Sequence, residues 1–299
     1  MTVAVKHVKY PTLERGRRRA GWLLVAPAAL HIFVWITIPV VVSLWLSFTD
    51  YRVLRPPRWV GLDNYREIWN DEVFCTALKN TAIYTFFTVP ASIALAVVIA
   101  AMLNQKLALR TWYRTAFFLP HVTATVAVAM VWIWMYQPNV GVFNALLQSI
   151  GINGPNWLSD PNWAMPSVII MSVWQGIGFK MLIYLAALQG ISRELYDAAA
   201  VDGAGKVRQF FHITLPLLKP ATFFVLVVAT IDAFQVFDQI YVMTRGGPVH
   251  ATTTVTYEIY ESAFQAFRLG LASAKAVVLF AMIFAVTIIS RRLVGRDED

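Results

Sequence analysis

Charge is scarce in this sequence. Only 14% of its 299 residues are Asp, Glu, Lys or Arg, whereas 58% are hydrophobic. A soluble domain carries about 25% charged and roughly 45–50% apolar residues. The deficit excludes an ordinary water-facing exterior and fits a chain whose outside is itself apolar, in contact with lipid. Cysteine is nearly absent. The lone Cys75 excludes an internal disulfide and a cysteine-rich metal centre, and is read as a packing residue at a loop end. A phosphate-binding G-x-x-x-x-G-K-[ST] loop is missing too: Gly203-Ala204-Gly205-Lys206 is followed by Val207 and does not qualify. ATP hydrolysis by this chain alone is therefore not expected. No paired acid and base carboxylates, metal cluster or activated nucleophile stands out, which argues against a membrane-embedded enzyme. There is no repeat of solenoid period and no low-complexity tract.

What the sequence has in abundance is long apolar runs. Six stand out: Trp22–Phe48, Thr81–Leu103, Ala116–Tyr136, Ala164–Leu188, Ala221–Met243 and Leu271–Ile289. About 20 helical residues cross a hydrocarbon core roughly 30 Å thick. Backbone groups inside a bilayer must be satisfied within the segment, so each run is expected to be a helix. The first follows Arg15, Arg17, Arg18 and Arg19, like a signal peptide. It is far longer than a signal core of about 7–15 residues and ends in the interfacial aromatics Trp45, Phe48 and Tyr51, so it is read as a retained span. The expected architecture is all-α, a polytopic membrane protein with six transmembrane helices. A basic tail occupies 1–20, the membrane domain 21–290, and a second tail 291–299.

The net charge of +8 might suggest nucleic acid, but the basic residues sit in short loops between apolar runs. Sixteen Lys and Arg fall on the side that holds both tails and the loop after the fourth run; seven fall on the other, and Lys180 and Lys275 lie inside spans. Basic loops stay inside, so both termini and the 191–219 loop are expected in the cytoplasm. The outer loops look like turns and interfacial helix. Asp63 is the expected N-cap of a short helix, and Arg245-Gly246-Gly247-Pro248 is a turn signal.

Several polar residues stand where they are costly. The fifth run contains Asp232, Gln235, Asp238 and Gln239, and the fourth contains Trp174, Gln175 and Lys180. A carboxylate near mid-bilayer costs about 2.5–3.5 kcal/mol and normally faces a cavity or a partner. Asp232, Gln235 and Gln239 recur at i, i+3, i+7, one helix face. Amides and carboxylates beside aromatic rings suit a hydrated polyol, since ring faces cover C–H surface while polar groups take hydroxyls. Trp174, Gln175, Asp232, Gln235 and Asp238 are therefore candidates for a solute pathway. The same residues would serve equally as polar glue between helices or subunits. Lys180 could pair with Asp232 or Asp238, or reach an interface. His31 and His121 are read as neutral histidines hydrogen-bonded to neighbouring helices.

The segment Ser192–Pro220 is too polar to cross. Ser192 can cap a helix through Val201, Gly203 and Gly205 permit a sharp turn, and Lys206–Thr214 can form a second short helix before Pro216 and Pro220. This segment resembles the EAA coupling loop of binding-protein-dependent ABC importer permeases. The pattern appears as Asp197-Ala198-Ala199, Asp202-Gly203-Ala204 and Ile213-Thr214-Leu215-Pro216. Asp197 stands where that family has Glu, and Ser192 where it often has Pro. Along nearly its whole length the chain resembles the maltose/lactose-like sugar-importer permeases, with Gly61-Leu-Asp-Asn-Tyr65, Phe118-Leu-Pro120, Phe237-Asp-Gln-Ile-Tyr241 and Thr244-Arg-Gly-Gly-Pro248 in support.

The resemblance implies a transport subunit of a bacterial inner membrane. Its loop (Asp197, Ala198, Ala199, Asp202, Gly203, Ala204, Gly205 and Pro216) would dock on a cytoplasmic ATPase. It further implies a second similar permease, two ATPase subunits that carry the ATP and Mg, an extracytoplasmic solute-binding protein, and no cofactor on this chain. Membrane lipid is the remaining partner, and nucleic acid is not expected. A sugar is preferred as solute over a glycerol phosphate, because Lys180 is the one basic residue deep in the first five runs and two carboxylates accompany it. An ion-driven secondary carrier is the competing class. Such carriers usually show internal repeats and broken helices around an ion site; repeats are not evident here, and the loop motif argues against that class.

Overall fold

The computed structural model describes residues 11–105 and 108–294. Among them it is helical apart from one hairpin. The first span joins α1 (Pro11–Ile32) to α2 (Ile38–Leu46) through a π-helical turn at Phe33–Thr37. The helix already begins within the segment assigned to the basic tail, whose first ten residues lie outside the described ones. The hairpin of β1 (Thr49–Arg52) and β2 (Arg55–Trp59) follows, pairing Thr49 with Trp59 and Asp50 with Arg58. Asn64 fastens it by donating to the carbonyls of Ser47 and Thr49, both at 2.9 Å. Asn64 lies on α3 (Asp63–Asn70), the expected interfacial helix. Its N-cap is Leu62, not Asp63. Asp63 is the first helical residue, and its carboxylate pairs with Arg66 one turn on at 3.1 Å, which leaves it no capping bond.

The second span, α4 (Glu72–Leu103), begins nine residues before the apolar run. Asp71 caps it, accepting from the amides of Val73 at 2.9 Å and Phe74 at 3.3 Å. Cys75 therefore sits in the first turns of a helix rather than at a loop end, and it is exposed.

The third run is not one span of straight helix. It forms α5 (Arg110–Val122) and α6 (Thr125–Met135), bent by 98°. Thr123 and Ala124 between them are extended. Pro120 lies one turn before the break and cannot donate a helical hydrogen bond. Next come α7 (Val142–Ser149) and the fourth span α8 (Pro161–Gln189), capped by Asp160. The loop after it contains α9 (Arg193–Val201), α10 (Lys206–Gln209), a π-helical turn at Phe210–Thr214 and the short α11 (Leu215–Leu217).

The fifth run is also interrupted. Helix α12 (Lys219–Phe234) stops and α13 (Asp238–Met243) restarts after three residues. The next loop carries α14 (Val255–Tyr260), and α15 (Leu269–Val294) is the last span. Five helical stretches are long and apolar enough to cross a membrane, and the bent α5–α6 pair brings the number to six.

The core lies where α4 and α8 pack, with α12 against both. Small residues allow the close approach: Ala96 and Ala100 on α4 are fully buried. Gly178 on α8 is required, because a Cβ there would overlap the Phe117 carbonyl of α5. A second cluster joins α6, α8, α12 and α13 around Trp132, Tyr136, Met171 and Ile240. The first span lies outside both clusters. Its residues from Ala20 to Leu44 are almost all exposed, and α2 rests on α15.

Candidate functional site

The two broken spans meet around one cavity of about 420 Å³. Asp232 projects from the last turn of α12, Gln235 from the break, and Asp238 and Gln239 from the first turn of α13. Because the helix is interrupted, the expected single face does not exist as a continuous stripe. The break nevertheless brings all four side chains to one wall. Gln175 and Lys180 line the facing wall on α8, and His121 lines it from α5. Tyr84, Thr88 and Ser92 complete it from α4.

The breaks are held by side chains from elsewhere. The buried Gln175 amide donates to Thr125 Oγ1 at 3.2 Å and weakly to the Pro120 carbonyl at 3.5 Å, across the α5–α6 bend. At the α12–α13 break, Thr254 Oγ1 donates to the Val236 carbonyl at 3.2 Å and Thr256 Oγ1 to that of Phe234 at 3.3 Å. Asn80 on α4 in turn holds the loop between α13 and α14, donating to the carbonyls of His250 at 2.9 Å and Thr253 at 3.0 Å. Interrupted backbone at membrane depth is tolerated where it is buried in protein or lines a water-filled space.

Lys180 Nζ donates to the Gly176 carbonyl on its own helix at 3.2 Å, rather than to Asp232 or Asp238. His121 makes a ring contact instead of the expected hydrogen bond: it stacks on Phe179 with centroids 5.1 Å apart. Trp174 is not part of the cavity. It is exposed, with its ring 5.4 Å from that of Trp132. Tyr84, Thr88 and Ser92 were not singled out from the sequence, although their spacing i, i+4, i+8 marks one face of an apolar helix.

At the end of the molecule away from the hairpin, the 191–219 loop is a compact knob. Ser192 caps α9 by accepting from the Glu194 amide at 3.3 Å. Asp197, Ala198 and Ala199 lie on α9, Asp202 closes it, and Gly203 makes the turn with φ +78°. Ala204 donates back to the Ala199 carbonyl at 2.8 Å, and Gly205 caps α10. Gln209 ties the two halves, donating to the carbonyls of Tyr196 at 3.2 Å and Ala204 at 3.0 Å. Tyr196 and Thr214 share a hydroxyl hydrogen bond of 2.9 Å. Pro216 lies in α11. Exposed apolar side chains remain on the knob, Val201 at 88% and Val207 at 72%.

The opposite end is held by ion pairs. Lys275 on α15 is 2% exposed, bonded to Glu258 at 2.8 Å, 3.5 Å from Asp71, and 5.4 Å over the Phe74 ring. Both nitrogens of the Arg268 fork bind Glu67, Nη2 at 2.6 Å. This fork holds the Glu67 carboxyl below its usual range and raises Arg268.

Crossing helices broken around a polar hollow, with an ordered knob at one end, make a membrane transport subunit. The chain belongs to the family of binding-protein-dependent transport system inner membrane components, whose model matches residues 83–296. It is 36% identical over 289 residues to the sulfoquinovosyl glycerol transport system permease of Agrobacterium fabrum, spanning 96% of this chain and 94% of that one. To the lactose transport system permease of Rhizobium radiobacter it is 38% identical over 284 residues, with 93% and 94% covered. A crystal structure of a bacterial ABC transporter involved in the import of the acidic polysaccharide alginate superposes with a TM-score of 0.84 at 26% identity, covering 96% of this chain and all of that one.

Proposed function

We propose that this chain is the membrane-spanning subunit through which an ATP-driven importer passes a sugar or sugar-like solute across a bacterial inner membrane. The observation that carries the reading is the polar cavity where the two broken spans meet. Its wall combines the ring faces of Phe179 and Phe237 with the amides of Gln175 and Gln235, the Asp232 carboxylate and the Lys180 ammonium. Ring faces suit the C–H surfaces of a sugar, and the polar groups suit its hydroxyls. Relatives named for lactose and sulfoquinovosyl glycerol support a carbohydrate. Asp232, Gln235 and Asp238 are exposed in the single chain, which fits a route completed by a second, similar permease.

Energy enters through the knob. Ala198, Ala199, Gly203 and Ala204 are small enough for close docking, and Asp197 offers a charge to a cytoplasmic ATPase. Two such subunits hold the ATP and Mg, and their closure moves the knob and the spans attached to it as a lever. An extracytoplasmic binding protein delivers the solute at the other end. Both termini and the knob are then cytoplasmic, which the excess of Lys and Arg in their loops supports.

The test is uptake by the assembled importer in proteoliposomes. Transport should require ATP and survive ionophores that collapse ion gradients. Asp232→Asn should assemble normally. A lost hydrogen bond to a charged group is worth about 1.5–3 kcal/mol, so uptake should fall by one to two decades with altered selectivity among hydroxyl epimers. Normal uptake with an unchanged epimer profile in both Asp232→Asn and Gln235→Ala would reduce these residues to helix glue.

A further inference from the structure

At the knob end of the spans lies a second cavity of about 450 Å³, enclosed by the ends of α4 and α8, the start of α5 and the foot of α9. Arg110 and Arg193 line it together with Asn104, Gln189 and Tyr196. One turn along α5 from Arg110 stands Arg114. Its Nε and Nη2 are shielded from solvent and have no hydrogen-bond partner among the described residues.

None of the three arginines has a counter-ion among the described residues. Among the described residues no carboxylate lies within 4.0 Å of Arg110, Arg114 or Arg193. Asp197, one turn along α9 from Arg193, does not reach it. The ion pairs Arg52–Asp50, Arg66–Asp63, Arg268–Glu67 and Lys275–Glu258 stand at the opposite end of the spans. Like charges near one another repel, and an anion placed among them relieves that repulsion. Beside the arginines the surface turns apolar. Leu109 is 71% exposed and Trp112, between Arg110 and Arg114, is 75% exposed. Tryptophan at a membrane–water boundary sits at headgroup level. Basic pockets between helices on the cytoplasmic side suit anionic lipid headgroups.

We propose that this hollow binds the phosphate of an anionic phospholipid, with Arg110 and Arg193 gripping the headgroup and an acyl chain lying along Leu109 and Trp112. Lipid bound there bridges the start of α5 to the foot of α9, and so steadies the knob against the spans it moves. The proposal rests on the orientation given above, which puts this end at the cytoplasmic leaflet. A free phosphate offers the same chemistry to the arginines but leaves the apolar lip bare, so the lipid is favoured.

The test is native mass spectrometry on the assembled importer released from nanodiscs of phosphatidylcholine with phosphatidylglycerol. Wild type should retain phosphatidylglycerol. The Arg110→Gln/Arg193→Gln variant should bind it roughly 20–30-fold more weakly, as about fivefold per guanidinium predicts. Arg110→Lys/Arg193→Lys keeps the charge and should retain it, which separates lost lipid from lost folding. Arg66→Gln, at the other end, should match wild type. Inorganic phosphate at the same concentration should leave the lipid in place. Equal retention by wild type and the glutamine variant would overturn the proposal, as would displacement by inorganic phosphate. Loss of the ATPase subunits with lipid retained would overturn it too, making the arginines a protein contact. Solute uptake, measured on the same preparation, is independent. Lipid retained without uptake sinks the transport reading and leaves this one standing.

Discussion

Glu67 and Arg268 are separated by two hundred residues of chain, yet they join the short interfacial helix to the start of the last span. Two fork hydrogen bonds hold the Glu67 carboxyl below its ordinary value, so the folded state resists its protonation. The stabilisation is complete above the ordinary carboxylate range and is lost as pH falls through the lowered value. The pair is half-exposed and screened, so its contribution is about 0–1 kcal/mol. Acidification from neutrality should lower the thermal midpoint of the wild type slightly more than that of Glu67→Gln; identical acid profiles would remove the pair from the account. Neither this pair nor Lys275 with Glu258 was legible beforehand, because partners so far apart in sequence are set only by the fold. Asp232 and Gln235 were legible for the opposite reason: a polar group in an apolar run announces itself wherever its partners are. Tyr84, Thr88 and Ser92 fell between the two cases. Each is tolerable in a span, and only their shared face, seen against α8, makes them a wall.

At the scale of elements, the knob was readable in detail and the broken spans were not. Ser192, Gly203 and Gly205 are local signals, and each occupies its expected place in a cap or turn. The breaks at Thr123–Ala124 and Gln235–Phe237 depend on Gln175, Thr254 and Thr256, which arrive from other elements. A hydropathy run cannot report a hydrogen bond from a different helix. The knob carries its own test at Gly203, whose φ of +78° falls in the left-handed region while open space surrounds the position of a Cβ. A side chain there meets only backbone strain, about 1–3 kcal/mol for a branched residue. Gly203→Val should insert and fold, while uptake and solute-stimulated ATP hydrolysis fall together. Gly203→Asn, which tolerates the left-handed region, should retain most of both. Full uptake by the valine variant would break the link between the knob and the ATPase.

For the whole molecule, the parts divide along the direction of the spans. Ion pairs and the hairpin brace one end, the polar cavity lies between the broken spans, and the knob with its neighbouring arginines occupies the other. The cavity's position could not be read from sequence, since it depends on where two helices fail. The central claim is that the cavity is the solute route and changes sides with the ATPase cycle. It is tested by Gln235→Cys in a Cys75→Ala background, since the native cysteine is exposed. A membrane-impermeant thiol reagent is added from each face of the assembled importer, at rest and then trapped with a non-hydrolysable ATP analogue. The account predicts labelling from the cytoplasmic face at rest and from the outer face when trapped, slowed by solute in the trapped state. Labelling at one rate from one face in both states, indifferent to solute, would contradict it.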